Sequence, residues 1–206
     1  MENVICIEGV VGAGKTTLGE LLAKELDIEF FQEPYIDNPF LDKFYDEKER
    51  YSFLSQMYFL NKRIDVIEEA KNFSKCVMDR SIYGDYLFAK MHCKNKFMTE
   101  DEFKLYDEFW KKLISARKTP TLIIYLEISV ENAIKKIISR GRSFELDVNK
   151  EYWNSLNEEY SLFFSKYNNS NVLTINIDNL DIRDNEKDRT FFFQIVKSKL
   201  KEINAL

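Results

Sequence analysis

Residues 9–16 read Gly9-Val10-Val11-Gly12-Ala13-Gly14-Lys15-Thr16, and this stretch decides the fold. An apolar run at 4–7 precedes it and a helical pattern over 17–26 follows, so a strand, a glycine-rich loop and a helix stand in succession. The spacing G-x-x-x-x-G-K-T is that of a P-loop, in which backbone N–H groups, the helix N-terminus and the lysine attract phosphate while the threonine hydroxyl reaches Mg²⁺. The sequence therefore predicts a site for a nucleoside triphosphate. Its predicted contacts are Gly9, Gly12, Ala13, Gly14, Lys15, Thr16 and Thr17.

Length and composition limit the classes of protein to which this chain can belong. Its 206 residues suffice for one domain with a sizeable core, and no linker, repeat or low-complexity segment divides residues 1–206. The net charge of −5 argues against a nucleic-acid partner. Three cysteines without C-x-x-C spacing and a single histidine disfavour a zinc site. Because we find no signal peptide and no apolar run of membrane-spanning length, we expect a cytoplasmic protein without a membrane partner.

Short apolar runs alternate with helical periodicity along the chain. Strands are predicted over 3–8, 28–32, 75–78, 121–126 and 171–177, with Pro34 stopping the second. Helices are predicted over 15–26, 48–73, 83–92, 100–117, 130–139, 149–167 and 188–203, and Asp37-Asn38-Pro39 is expected to open a further short helix. This alternation is typical of an α/β fold in which helices cover both faces of a parallel sheet and ligands bind beyond the carboxyl ends of the strands.

Two carboxylates stand where predicted strands end. Asp79 follows the third strand, the place of a Walker-B carboxylate that holds Mg²⁺ directly or through water. Alternatively, Asp79 or Ser81 caps the next helix. Glu33 follows the second strand, where a carboxylate can accept the proton of an attacking hydroxyl. Taken alone, Glu33 is better explained as a solvated charge at a strand end, and only Pro34 and the later residues favour the catalytic role.

A basic segment follows the helix after the fourth strand. Lys136 and Arg140 share one helix face, and Gly141 separates Arg140 from Arg142. Two arginines around a glycine suit a lid, over about 136–150, that closes over transferring phosphates. The simpler alternative is that cations are favoured at any helix C-terminus.

Gln56, Arg63 and Asp85 offer the groups needed to read a nucleobase. Gln56 and Arg63 lie two turns apart on the long predicted helix and therefore share a face, and Asp85 follows Arg80 by five. An amide, a guanidinium and a carboxylate can read the edge of a purine or of cytosine. Spacing alone does not distinguish this arrangement from an ordinary solvated helix face.

Together these motifs resemble the deoxynucleoside kinases, the family of the deoxycytidine, deoxyguanosine and deoxyadenosine kinases and of the insect multisubstrate enzyme. The resemblance runs nearly end to end. The segments that carry it are 9–16, Glu33-Pro34, 45–63, 79–85 and 140–145. It implies a P-loop NTPase-type three-layer sandwich, with a five-stranded parallel sheet flanked by helices and a short basic lid. It also implies a homodimer joined through helices of the first half.

The resemblance implies roles in catalysis and sugar binding for four residues. Glu33 is the base for the nucleoside 5′-hydroxyl, and Arg80 steadies Glu33 and the transferring phosphoryl group. Tyr45 and Glu145 hold the sugar 3′-hydroxyl, which favours deoxyribose. Family members often carry Glu-Arg-Ser where this chain has Asp79-Arg80-Ser81.

The resemblance also implies a base pocket. Gln56, Arg63 and Asp85 match the base-reading trio of the purine and deoxycytidine kinases, and Phe88 stacks on the base. The spacing from Asp85 to Phe88 is one residue shorter than in animal deoxycytidine kinases and is similar to that of bacterial deoxyadenosine and deoxyguanosine kinases. Asp85 argues against thymidine, which offers no exocyclic amine, whereas deoxycytidine does offer one.

The sequence thus predicts an ATP-dependent kinase that phosphorylates the 5′-hydroxyl of a purine deoxynucleoside, deoxyadenosine first and deoxyguanosine second. Mg²⁺ is expected on Thr16 and Asp79. The cations expected on the phosphates are Lys15, Arg80, Lys136, Arg140 and Arg142.

Several alternatives remain at this point. A deoxycytidine or broad-specificity deoxynucleoside kinase is the nearest. A nucleoside monophosphate kinase would need further cations for its acceptor phosphate. A GTP-dependent switch protein would need N-K-x-D and D-x-x-G motifs, and the sequence contains neither. A non-catalytic ATP-binding protein would leave Glu33, Tyr45 and Glu145 unexplained.

Overall fold

A computed structural model describes residues 3–33 and 37–205, and five parallel strands run through them in one sheet. The strands are β1 (Asn3–Glu8), β2 (Glu29–Phe31), β3 (Lys75–Asp79), β4 (Leu122–Glu127) and β5 (Asn171–Asn176). The helices are α1 (Lys15–Leu26), α2 (Leu41–Asp46), α3 (Lys48–Ala70), α4 (Ile82–Lys94), α5 (Glu100–Ser115), α6 (Val130–Arg140), α7 (Ser143–Leu146), α8 (Lys150–Phe164) and α9 (Glu186–Glu202). The predicted α/β fold with a five-stranded parallel sheet is confirmed.

The strand order β2-β3-β1-β4-β5 places the P-loop strand at the centre of the sheet. β1 pairs with β3 on one side, where Ile7 lies opposite Asp79, and with β4 on the other, where Glu8 lies opposite Tyr125. The connections to its two neighbours diverge, so a crevice opens at the carboxyl end of β1. Residues of β1, β3 and β4 are buried almost without interruption, as expected of strands covered on both faces.

The core surrounds the sheet. One apolar cluster joins side chains of all five strands to those of α1, α8 and α9. The 23-residue α3 is the longest helix described, but charged residues occur throughout its length. Within the described ranges, no helix combines the length and the apolar character needed to cross a lipid bilayer.

The start of α2 differs from the prediction. The Asn38 side-chain oxygen accepts a hydrogen bond from the backbone N–H of Phe40 at 3.0 Å, and the Asn38 amide donates to Ser55 Oγ at 3.2 Å. Asn38 therefore closes a local turn and ties it to α3, and α2 begins only at Leu41. Pro34, which was predicted to stop the second strand, lies outside the described residues.

The segment after α6 contains a helix that periodicity did not predict. Gly141, at φ +73°, ends α6, and the single turn α7 follows before α8 begins. A four-residue helix is too short for an apolar period to appear in the sequence. At the start of α4, the cap is Ser81, whose hydroxyl accepts from the backbone N–H of Tyr83 at 3.2 Å. Asp79 therefore does not serve as the helix cap.

Candidate active site

A cavity of about 610 Å³ opens at the carboxyl ends of the strands, a volume suited to a small-molecule ligand. The predicted site residues that line it are Gly12, Ala13, Gly14, Lys15, Thr16, Thr17, Glu33, Tyr45, Gln56, Asp79, Arg80, Asp85, Phe88, Lys136, Arg140, Arg142 and Glu145. Two predicted site residues, Gly9 and Arg63, do not face it. The structure thus gathers most of the candidates around one space, while their chemical roles stay predictions.

The P-loop is packed closely at its start and carries a buried cation. A Cβ on Gly9 would lie 2.8 Å from the carbonyl oxygen of Leu126 in β4, so this contact requires glycine. Lys15 is 7% exposed, and its ammonium donates to the carbonyl oxygen of Val10 at 3.0 Å. Burial and the nearby Arg80 lower the pKa of Lys15 to about 8, although neighbouring carboxylates oppose them. A bound phosphate would favour the charged form, so the loop is suited to an anion.

Thr16 and Asp79 form a candidate magnesium site. The Thr16 hydroxyl donates to Asp79 Oδ2 at 2.5 Å, whereas Asp79 Oδ1 has no hydrogen-bond partner among the described residues. Asp79 is 1% exposed, so Oδ1 is a buried acceptor that the described part of the chain leaves unsatisfied. Burial raises the pKa of Asp79, and Lys15 opposes that effect. Hydroxyl and carboxylate oxygens are ligands that Mg²⁺ prefers, so the two residues fit the ion.

Glu33 is held between two arginines. Its Oε1 accepts from Nε of Arg80 at 2.6 Å and from Nη2 of Arg63 at 3.2 Å. Burial alone would raise the pKa of Glu33, but Arg80 and then Arg63 outweigh it and lower that pKa to about 2. Glu33 is therefore ionised at physiological pH, as a proton acceptor must be.

Arg63 lies behind the cavity wall. Its side chain is 1% exposed and donates five hydrogen bonds, as many as a guanidinium can. The acceptors are the carboxylates of Asp85 and Glu33 and the backbone carbonyls of Asp79 and Arg80. All five N–H groups of Arg63 therefore have protein acceptors in this structure, and the base contact predicted for Arg63 stays a prediction.

Gln56 and Asp85 present polar groups to the cavity. Gln56 is 4% exposed, and its amide has no hydrogen-bond partner in the described ranges. Asp85 is 3% exposed, and its Oδ2 accepts from Nε of Arg63 at 3.0 Å. The Phe88 ring centroid lies 4.9 Å from the guanidinium carbon of Arg80. Two of the three side chains predicted to read the base, Gln56 and Asp85, therefore line the same cavity as the ring predicted to stack on it.

Tyr45 contacts the predicted lid segment, and Glu145 lies within it. The Tyr45 ring stacks on Phe144 of α7 with centroids 5.4 Å apart. Glu145, also in α7, is 4% exposed and forms ion pairs with Arg140 and, at 3.4 Å, with Arg142. α7 thus joins the residues predicted to hold the sugar to the cations predicted to hold phosphate.

The loop after β5 also borders the cavity, and no sequence signal predicted this. Its lining residues are Ile177, Leu180, Asp181, Ile182 and Arg183. Asp178 fixes the loop to α6 by accepting from the backbone N–H of Ser129 at 2.9 Å. Burial lowers the pKa of Lys136, while Asp178 and then Asp181 oppose it, so this lid cation faces the loop.

Comparison with known proteins agrees with this geometry. Residues 5–201 match the family model for deoxynucleoside kinase. This chain belongs to the deoxynucleoside kinase family. It is 35% identical to the deoxyadenosine kinase of Lactobacillus acidophilus over 100% of both chains, and 35% identical to the deoxyguanosine kinase of Lactobacillus johnsonii over 98% of this chain and 94% of that one. It is also similar to the structure of deoxyadenosine kinase from M. mycoides with dCMP and dCDP bound, at a TM-score of 0.85 and 29% identity over 97% of this chain and 99% of that one.

The predictions of the family, the fold and a kinase activity on deoxynucleosides are therefore confirmed. The sequence did not single out two residues of this deoxynucleoside kinase that lie behind the cavity. Glu8 ends β1 and is 0% exposed, and Tyr160 in α8 is also 0% exposed. A charge at the end of an apolar strand, directly before Gly9, was a usable signal for Glu8. Tyr160 has no comparable signal in its surrounding sequence.

Proposed function

We propose that this chain transfers the γ-phosphoryl group of ATP to the 5′-hydroxyl of a purine deoxynucleoside, deoxyadenosine first and deoxyguanosine second. One observation carries the proposal: the P-loop, the Glu33–Arg80 pair and the Gln56 amide line one cavity. Groups suited to a donor phosphate, an acceptor hydroxyl and a nucleobase are thus available in one space. The relatives named deoxyadenosine kinase and deoxyguanosine kinase support the choice of a purine.

The chemistry rests on positioning and on charge. Lys15 and the P-loop N–H groups bind the donor phosphates, and Arg80 stabilises the charge on the transferring group. As the 5′-oxygen bonds to the γ-phosphorus, the bond from that phosphorus to the β,γ-bridging oxygen breaks and ADP leaves, while Glu33 takes the proton that the hydroxyl loses. Thr16 and Asp79 would hold Mg²⁺, which would supply positive charge to neutralise the phosphates. Holding both substrates in line supplies much of the rate enhancement, so a weakly basic carboxylate is sufficient.

Base recognition rests on Gln56 and Asp85, with Phe88 beside them. The Gln56 amide offers a donor and an acceptor, and the Asp85 carboxylate accepts from an exocyclic amine. Arg63 orients Asp85 from behind. Thymidine is disfavoured because it has no such amine. Deoxycytidine is the alternative to a purine deoxynucleoside as substrate, and the M. mycoides deoxyadenosine kinase with dCMP bound favours retaining this alternative.

Sugar recognition and lid closure involve the same segment. Tyr45 and Glu145 hold the 3′-hydroxyl, and Arg140 and Arg142 move onto the phosphates as the lid of residues 136–150 closes, with Lys136 contributing from α6. The ion pairs of Glu145 with both lid arginines support this coupling.

The proposal extends to assembly and location. The exposed apolar side chains Leu54 on α3 and Leu105 and Phe109 on α5 support a homodimer through these helices. The cysteines Cys6, Cys76 and Cys93 are free thiols, which supports a reducing cytoplasm. Residues 1–206 would then act as one catalytic domain in each protomer.

A phosphotransfer assay tests the proposed activity. Mg-ATP is supplied with deoxyadenosine, deoxyguanosine, deoxycytidine or thymidine, and with AMP or dTMP as alternative acceptors. Fastest turnover of a purine deoxynucleoside is expected. Fastest turnover of deoxycytidine would establish the alternative substrate. Preference for thymidine would refute the argument that Asp85 selects a base with an exocyclic amine. Turnover of monophosphates alone would show that the phosphate acceptor is a nucleotide and not a deoxynucleoside.

A further inference from the structure

We infer that Glu8 and Tyr160 are positioning residues that hold the guanidinium of Arg80 against Glu33, and that phosphoryl transfer depends on this support. The inference rests on the proposed function, in which Arg80 and Glu33 act on the reacting groups. Neither Glu8 nor Tyr160 lines the cavity. Both would act through Arg80 and not through contact with substrate.

Arg80 needs support because its own backbone is strained. It lies at φ +71°, in the left-handed region that non-glycine residues avoid. Its N–H donates to the carbonyl oxygen of Ile7 at 2.9 Å, and its carbonyl accepts from Arg63 Nη1 at 3.1 Å. The strained turn directs the Arg80 side chain over Gly84, where a Cβ would lie 2.6 Å from Arg80 Cγ. A conformation of this kind persists only where surrounding contacts hold it.

Glu8 fixes the segment that follows Arg80. Glu8 Oε1 accepts from the backbone N–H of Ser81 at 2.7 Å, from the Ser81 hydroxyl at 2.6 Å and from the backbone N–H of Gly84 at 3.2 Å. These bonds attach the first turn of α4 to the end of β1. Glu8 Oε2 lies 4.0 Å from Arg80 Nη1, so the same carboxylate also forms an ion pair with Arg80.

Tyr160 connects Glu8 to Arg80. Its hydroxyl donates to Glu8 Oε2 at 3.3 Å and accepts from Arg80 Nη1. A tyrosine hydroxyl has one proton, so directing that proton to the carboxylate leaves a lone pair for the guanidinium. Arg80 Nε then points the other way, to Glu33 Oε1 at 2.6 Å. Four side chains, Glu8, Tyr160, Arg80 and Glu33, thus form one continuous chain of charge-assisted contacts.

The competing explanation is that this chain of contacts only satisfies buried polar groups. In that case, loss of the Tyr160 hydroxyl would lower stability and leave turnover by the folded enzyme unchanged. If Tyr160 positions Arg80, its loss lowers kcat in fully folded enzyme, since an arginine displaced by about 1 Å stabilises the transferring charge poorly.

The experiment uses Tyr160→Phe, which removes only the hydroxyl. Its matched control is Tyr125→Phe, because Tyr125 is also buried and stacks beside Tyr160 but makes no hydrogen bond to Arg80 or Glu8. We expect Tyr160→Phe to lower kcat about tenfold with KM for both substrates within about twofold of wild type. The Tyr125→Phe enzyme should keep wild-type kcat.

A second background tests whether the effect passes through Arg80. In an Arg80→Lys enzyme, which cannot bridge Tyr160 and Glu33 as a guanidinium does, adding Tyr160→Phe should lower kcat less than twofold. A full tenfold loss in that background would overturn the inference, as would equal kcat in the Tyr160→Phe and Tyr125→Phe enzymes. If Tyr160→Phe fails to fold, Glu8→Gln provides the same comparison, because glutamine keeps the size and an acceptor oxygen but loses the charge.

A measurement independent of turnover separates this inference from the proposed function. The Nε–H resonance of Arg80 in NMR spectra should be protected from exchange with water in the wild type and in Tyr125→Phe, and should lose protection in Tyr160→Phe. Wild-type protein that phosphorylates no deoxynucleoside but shows this pattern would refute the proposed function alone. Unchanged protection in Tyr160→Phe would refute the positioning role itself.

Discussion

Arg63 and Arg80 are buried where the carboxyl ends of the parallel strands meet, the region called the sheet edge below. They are held differently from Arg140 and Arg142, the arginines of the predicted lid. The Arg63 and Arg80 side chains are 1% and 4% exposed and are bonded to several fixed partners each. The Arg140 and Arg142 side chains are more exposed, at 35% and 24%, and both form an ion pair with the carboxylate of Glu145. The first pair is held in place without substrate, whereas the second would have to leave Glu145 in order to bind a phosphate as proposed.

This difference separates two tasks of a phosphotransferase. A preorganised charge needs no rearrangement at the moment of reaction, which suits the residues around Glu33, the proposed general base. A lid must open to admit substrate and release product, so its cations need contacts that can be broken. Changes at the sheet edge should therefore affect the chemical step and stability, while changes in the lid should affect substrate use and leave the fold intact.

The largest effect is expected from Glu33→Gln. Glutamine keeps the shape but cannot accept the 5′-hydroxyl proton, so kcat should fall about 10³-fold. The dissociation constant of ATP, measured by calorimetry without a deoxynucleoside, should be unchanged within about twofold, because the P-loop is intact. A Glu33→Gln enzyme with wild-type kcat would remove Glu33 as the base.

Arg63→Met tests whether the buried guanidinium supports the site. Methionine fills much of the space but leaves Asp85 and Glu33 without their partner, so the free energy of unfolding should fall by about 3 kcal/mol. Chemical denaturation measures this loss. Arg50→Met is the matched control, since Arg50 is on the same helix and its exposed side chain forms an ion pair with the exposed Glu47. Equal unfolding midpoints for the two variants would contradict the assignment of Arg63 as a buried support.

Much of the sheet edge could be predicted because its signals are local. The P-loop is a pattern of eight consecutive residues. Glu33 and Asp79 stand at the ends of apolar runs from which strands can be predicted. Parallel strands bring their carboxyl ends to one edge, so order along the chain translated directly into proximity. The sequence predictions therefore located the cavity, and the family resemblance supplied the roles proposed for its lining residues.

The supports behind that edge could not be predicted in this way. Arg63 reaches acceptors between 16 and 30 positions away, and Tyr160 meets Glu8 from 152 positions away. Such contacts depend on how each helix is rotated about its axis against the sheet, which apolar periodicity fixes only approximately. α7 was missed for a different reason, because one helical turn contains no complete period.

The next largest effect is expected from His92, which is buried like Arg63 and Arg80 and affects the pH dependence of stability. It is 0% exposed, and its ring nitrogens contact Ser52 Oγ at 2.8 Å and the Tyr152 hydroxyl at 3.0 Å. Burial lowers its pKa to about 3, whereas the unfolded chain binds this proton near pH 6.5. Between these values the unfolded state holds more protons, so this contribution to stability is present above pH 6.5 and decreases as the pH falls.

The expected loss from this histidine between pH 7 and pH 5 is about 2 kcal/mol of unfolding free energy. The His92→Gln variant should be less stable than wild type at pH 7. Between pH 7 and pH 5, however, its unfolding free energy should fall by about 2 kcal/mol less than that of the wild type. Urea denaturation at both values gives the two differences. Identical pH dependence in wild type and variant would show that His92 does not contribute to it.

The smallest effect in this series is expected from Glu145→Gln in the lid. Glutamine weakens both the hold on the lid arginines and the hydrogen bond proposed for the sugar 3′-hydroxyl. KM for deoxyadenosine should therefore rise about tenfold, while KM for ATP stays level or falls because the arginines are released. The ratio of kcat/KM for deoxyadenosine to that for 2′,3′-dideoxyadenosine should shrink by a similar factor, since the lost contact is the one that the dideoxy sugar never makes.

The matched control is Glu131→Gln, which removes an exposed charge on α6 that is paired with Lys150. It should leave both KM values and the ratio unchanged. An unfolding midpoint that drops as far for Glu145→Gln as for Arg63→Met would break the comparison between lid and sheet edge, because it would make Glu145 a structural support like Arg63.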